Sequence, residues 1–124
     1  MQQKQLPIGG FDCTFGGNLP VGAGLYASAA VECGLPFALN EIFALNLCKL
    51  EIALMAQKAE HTFPVIMCGI IDQFASVMGQ KDKVILLDCT SFEYRYLPLQ
   101  FKDYLLVLIN TKFRHTLADG ECKK

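Results

Sequence analysis

PVGAGLYASAAVECG, residues 20–34, is the stretch on which the fold of this chain turns. Gly22 and Gly24 stand two apart, and their neighbours Ala23, Ala27 and Ala29 are small. Such a run leaves the backbone uncovered, and the alanines and leucine after it favour helix, so a loop is predicted to open a helix near Leu25. Backbone N–H groups at a helix start point outward, and the helix dipole adds partial positive charge there. A phosphate group suits that position. No lysine follows the last glycine, so the Walker pattern is absent. Taken alone, two spaced glycines before a helix fit a tight strand-to-helix turn equally well.

Working outward from the loop, Phe11–Phe15 alternates apolar and polar side chains and predicts a strand. Gly16, Gly17 and Asn18 signal a turn. Downstream, Pro36 falls about three turns into the first helix and predicts a kink or break over Gly34–Pro36, with continuation through Ala38–Phe43. Phe43, Leu47, Leu50 and Leu54 recur at helical spacing, with Asn46 as the expected N-cap of a second helix running to His61 and closed by Phe63-Pro64. Gly69 and Gly79 bracket a short third helix, Ile70–Met78. Lys83–Cys89 predicts a strand and Glu93–Leu99 its neighbour. Tyr104–Thr111 is an almost continuous apolar run and predicts a buried strand, and Arg114–Gly120 the start of a helix. There is no internal repeat and no low-complexity linker. One layer of helices on one of sheet follows, α/β or α+β.

The 124 residues suit one small domain. With 52% hydrophobic and 19% charged residues the chain can build a core, which argues against disorder. A net charge of -1, with acids and bases interspersed, offers no basic stripe to a nucleic acid and no polybasic segment to a membrane. No apolar run approaches the roughly 20 residues that span a bilayer. Residues 1–6 are polar with no signal-like core behind them. Six cysteines, at 13, 33, 48, 68, 89 and 122, form no close couple, which argues against structural zinc. They are expected to be reduced, mostly buried thiols of a cytoplasmic protein.

Three oxygen-bearing side chains single themselves out for chemistry. Ser28 lies at the start of the loop's helix, Glu60 near the end of the second and Asp72 at the start of the third. A hydroxyl and a carboxylate suit magnesium, which takes hard oxygen ligands, and a second carboxylate can take a proton from a hydroxyl as a phosphoryl group arrives. Each has a plain alternative. Ser28 can be a small packing residue, Glu60 a solvated helix end, and Asp72 a helix-start acid favoured by the dipole.

The segments PVGAGLYASAAVE, AQKAEHTF, CGIIDQFASVMG, VILLDCTSFEY and INTKFRHTL stand in one order along the chain. Together they resemble the galactokinase branch of the GHMP small-molecule kinases. The first is similar to that family's second signature, and the C-G-I-x-D-Q stretch is the most specific part. The resemblance covers about Gly9 to Ala118. It implies an α+β fold, a mixed and mostly antiparallel sheet backed by helices, and a reaction of ATP with galactose giving galactose 1-phosphate and ADP. It implies that Pro20, Gly22, Ala23, Gly24, Leu25, Tyr26, Ala27 and Ser28 hold the ATP phosphates. Ser28 and Glu60 would hold Mg2+, Asp72 would be the catalytic carboxylate beside the sugar, and Gly69 would lie against it.

Some features depart from the family pattern. Tyr26 and Ala27 stand where two serines are usual, Pro36 interrupts the helix, and Thr90 replaces an arginine. The family's R-x-N-x-x-G-E-H sugar-binding stretch and a third, glycine-rich signature are absent from the sequence. Residues 1–124 are therefore expected to be a single partial domain, inactive by itself. Two further readings stand beside this one: a non-catalytic nucleotide-binding sensor or regulator, and a degenerate remnant.

Overall fold

The computed structural model describes residues 5–18, 27–63, 68–101 and 103–109. Three helices precede a hairpin: α1 (Ala27–Ile42), α2 (Lys49–Thr62), α3 (Ile71–Met78), β1 (Lys83–Leu87) and β2 (Tyr94–Pro98). The fold is α+β, as expected. None of the described helices is long and apolar enough to cross a membrane.

The helices bury small residues where they meet. Ala53 and Ala56 on α2 are almost completely enclosed beside Ile52, and α1 contributes Ala29, Cys33 and Leu39. Side chains this short let backbones approach closely, and each helix packs on the other two. α3 carries the apolar core. Ile70, Phe74 and Met78 recur every four residues on one face and pack against Leu50, Leu54, Ile85, Leu87 and Phe92. Gly79 caps α3 by donating its N–H to the Ala75 carbonyl at 2.9 Å.

β1 and β2 pair antiparallel, with Ile85 opposite Tyr96 and Leu87 opposite Tyr94. Because side chains alternate along a strand, these four share the face turned to α3. The Tyr94 ring meets Phe74 edge-on at 5.2 Å, and the Tyr96 hydroxyl donates to the Met78 carbonyl at 2.7 Å. The hairpin loop is held by Asp88, whose Oδ1 accepts the Thr90 N–H at 2.8 Å. That bond, with a second from Ser91, holds the exposed Asp88 carboxyl below the usual carboxylate range.

Several expectations are corrected. No break falls over Gly34–Pro36, since α1 continues through Pro36 to Ile42. The N-cap of α2 is Cys48, not Asn46. The Asn40 side chain explains the shift: its Oδ1 accepts the Leu47 N–H at 2.8 Å, tying the connection back to α1. Asn46 then takes a left-handed conformation, φ 56°, which asparagine tolerates. The Cys48 N–H is met by the Glu51 carboxylate at 2.9 Å. Phe43 and Leu47 therefore lie outside α2, whose buried face is Ile52, Ala53, Ala56 and Glu60. Phe11–Phe15 is exposed and forms no strand among the described residues, and neither does the exposed segment 104–109. A strand needs a neighbour for its backbone groups, and neither segment has a ladder partner here. Of the cysteines, Cys13, Cys48 and Cys89 are exposed, only Cys33 is buried, and the five described are free thiols. Pro20, Gly22, Ala23, Gly24, Leu25 and Tyr26, the expected helix at Arg114–Gly120, and Cys122 lie outside the described residues.

Candidate functional site

Glu60 is the centre of the site. It is 5% exposed, near the C-terminal end of α2. A carboxylate so buried must be hydrogen-bonded to persist. Gln73 on α3 donates Nε2–H to Glu60 Oε2 at 2.6 Å, and the Cys68 thiol donates to the same oxygen at 2.8 Å. Neither bond uses Oε1. Cys68 is itself anchored to α2, since its carbonyl lies 3.3 Å from Gln57 Nε2 and 2.9 Å from His61 Nε2. These contacts hold the segment leading into α3 against α2.

Two further carboxyls converge on Glu60. Asp72 lies in the first turn of α3, and burial and then the Glu60 charge raise its pKa. Glu32, from α1, is raised for the same two reasons in the same order, while the Gln73 side chain beside it works the other way. The Glu32 Oε2 and Gln73 Oε1 atoms are both buried and have no hydrogen-bond partner. Burial, chiefly, also pushes the Cys33 and Cys68 thiols up to about 11, so both remain neutral at physiological pH. Cys33 Sγ lies 3.6 Å from the Gln73 carbonyl, which ties α1 to α3 at the same point.

The sequence-predicted residues are thus brought together in part. Glu60 and Asp72 are electrostatic neighbours. Gly69 is exposed just before α3, with open space where a Cβ would stand. Ala27 and Ser28 are at the N-terminal end of α1, and Ser28 is exposed. Ser28 precedes Glu32 by four residues, one turn on the same helix face. No hydrogen bond among the described residues joins Ser28 to Glu60. Sequence reasoning missed Glu32, Cys68 and Gln73. The four-residue spacing of Ser28 and Glu32 was the available signal for the first. The other two stand inside the C-G-I-x-D-Q stretch with no local mark of their burial.

These residues fit magnesium. The donors are hard oxygens, one Glu60 oxygen is left uncommitted by the hydrogen bonds, and Glu32 Oε2 is an orphaned acceptor on the adjoining helix. No group of three or more His, Cys, Asp or Glu side chains able to hold a metal occurs among the described residues. Magnesium does not require one, because it is bound through one or two protein oxygens plus phosphate and water.

Residues 1–80 match the family described as GHMP kinases N terminal domain. The chain belongs to the GHMP kinases. Among curated GHMP kinases it is similar to the galactokinase of Clostridium tetani, 41% identical over 98% of this chain and 33% of that protein. It is 44% identical to the galactokinase of Clostridium perfringens over 90% of this chain and 29% of that one. The crystal structure of Lactococcus lactis galactokinase complexed with galactose superposes with a TM-score of 0.68 at 36% identity, covering 71% of this chain and 23% of that one. The chain spans about a third of the length of the curated relatives it matches. The resemblance read from the sequence motifs is borne out.

Proposed function

We propose that this GHMP kinase chain carries the nucleotide, magnesium and catalytic-carboxylate half of a site that phosphorylates galactose with ATP in the cytoplasm, and that residues 1–124 make one partial domain. The observation that carries the reading is the meeting of a buried, doubly hydrogen-bonded Glu60 with Asp72 at the start of α3. In this reading Asp72 accepts the proton of the sugar's anomeric hydroxyl. The freed oxygen attacks the γ-phosphorus of ATP, the bond to the bridging oxygen breaks, and ADP leaves. Burial and the Glu60 charge raise the Asp72 pKa, which makes it a stronger base than an ordinary aspartate. Gly69 lets the backbone lie against the sugar because no side chain stands between them. The backbone of Pro20 to Ser28 holds the phosphates, and Ser28 and Glu60 would hold Mg2+. When bound, that ion supplies neutralisation of the charge on the transferring phosphoryl group.

The R-x-N-x-x-G-E-H stretch is absent from the sequence. The chain by itself is therefore expected to bind Mg·ATP without galactose-dependent ADP release. Isothermal titration with Mg·ATP tests the binding, which Ser28→Ala should weaken. A coupled ADP assay tests the rest, and galactose-dependent release would overturn the claim that the chain alone is incompetent. No binding at millimolar ATP would leave the remnant reading. Tyr26 and Ala27, standing in the phosphate loop where the family has serines, favour a second reading as a nucleotide-binding regulator without transfer. Binding alone does not separate these two.

A further inference from the structure

Gln73 is 1% exposed, the most enclosed polar side chain among the described residues, and it lies at the junction of all three helices. Its backbone carbonyl meets the Cys33 thiol of α1, its Nε2 meets Glu60 of α2, and its own backbone belongs to α3. Its Oε1 faces no donor, and neither does the buried Glu32 Oε2 beside it. A buried amide with one end unsatisfied is costly, and a helix core is better filled by an apolar side chain of the same size. Packing therefore does not account for glutamine here. Its short bond to Glu60 does. Gln73 Nε2 and Cys68 Sγ reach the same carboxylate oxygen from two sides, which fixes the plane and rotation of the carboxylate and leaves the other oxygen uncommitted.

We propose that Gln73 is a positioning residue: by holding Glu60 Oε2 it presents Glu60 Oε1 to the magnesium of bound Mg·ATP. This rests on the reading of Glu60 as a metal ligand. The amide is suited to the task because it is a neutral donor. A lysine or arginine here would neutralise Glu60 and weaken its attraction for a cation, whereas the amide orients the carboxylate and leaves its charge intact. Hydrogen-bond partners of metal ligands typically matter by about 10–100-fold in metal affinity.

The test uses the full chain with Mn2+ as a spectroscopic stand-in for magnesium. Electron paramagnetic resonance reads Mn2+ bound in the presence of ATP, and ATP binding is measured separately with the metal chelated. Gln73→Met keeps the length of the side chain and removes the donor. It is expected to weaken Mn·ATP binding about tenfold. Metal-free ATP binding and the helical circular dichroism are expected to stay unchanged, which a merely structural role would not produce. Glu60→Gln serves as the reference for loss of the ligand itself. If Gln73→Met binds Mn·ATP as the native chain does while Glu60→Gln does not, the positioning role falls and the proposed function stands. If the native chain binds no Mn·ATP, both fall. Should Gln73→Met unfold, Gln73→Asn is read in the same titration, since it keeps an amide but withdraws it by one methylene. Native affinity in whichever variant folds, or unfolding of both, overturns the proposal.

Discussion

Glu32 brings a carboxyl from α1 to within electrostatic reach of Glu60, and one of its oxygens is buried without a partner. Burial is the larger cause of its raised pKa and the Glu60 charge the second. The folded state therefore holds a proton on Glu32 at pH values where the unfolded chain has released it. Below the ordinary glutamate value, about 4.3, the group is neutral in both states and costs nothing. As pH rises from there through the raised folded value, stability is lost, because the folded chain must ionise a partly desolvated group. Glu32→Gln removes that loss, since an amide resembles the neutral acid in shape and cannot ionise. In metal-free buffer its melting temperature should match the native chain near pH 4, rise above it as pH increases, and hold a constant advantage beyond the raised pKa. A variant less stable than the native chain by the same margin at every pH would show that the Glu32 charge is satisfied in the fold. None of this was visible in the sequence, where Glu32 is one of two acids in a mostly apolar helix. Glu60 and Asp72 were legible only because they stand in segments that resemble the kinase motifs. The partners that bury them, Gln73 and Cys68, are set by the meeting of three helices, and no local pattern encodes that meeting.

At the scale of elements, α3 and the hairpin were read almost to the residue, because their signals are local. Ile70, Phe74 and Met78 at four-residue spacing, Gly79 as a stop, and two β-rich runs around a polar turn each specify an element without help from the rest of the chain. The start of α2 was misplaced by two residues because a distant side chain, Asn40, decides it. Pro36 was expected to kink or break α1, yet the helix continues on both sides of it. Packing of Cys33 and Leu39 into the core on either side outweighs the local penalty. That penalty is still present. Proline offers no N–H to the Glu32 carbonyl one turn earlier, and in a helix interior it costs about 3 kcal/mol relative to alanine. Proline also stiffens the unfolded chain, which returns up to about 1 kcal/mol. Pro36→Ala should therefore stabilise the chain by about 2 kcal/mol. The check is a urea titration, in which the midpoint rises with an unchanged slope. A lower midpoint would mean that the ring itself packs in a way alanine cannot replace.

For the whole molecule, the apolar residues divide into a core that the three helices and one hairpin face enclose and a remainder that nothing described covers. Tyr104 to Ile109 are six consecutive apolar residues, each at least 62% exposed. Val84, Leu86 and Leu97 lie on the hairpin face turned away from α3 and are exposed as well. The apolar run at 104–111 predicts a buried strand, and the alternation at 11–15 predicts another. Composition and alternation report a segment's capacity to pair, and whether a pairing partner lies beside it depends on the rest of the sheet. A groove of about 510 Å³ between residues 13–18 and α1, lined largely by apolar atoms, is a further surface of this kind. Contiguous exposed patches beyond a few hundred Å² mark surfaces that associate, and strands paired on one side only offer backbone groups to other chains. The isolated chain should therefore self-associate as its concentration rises, with strong binding of an apolar-surface dye. Leu105→Lys with Ile109→Lys places two charges on this exposed segment. This pair should reduce association in light scattering and lower dye binding while leaving the helical circular dichroism unchanged. If the native chain stays monomeric and binds no dye, the segment is covered in solution in a way the described residues do not reveal. If the lysines instead unfold the helices, the run at 104–109 is part of the core after all.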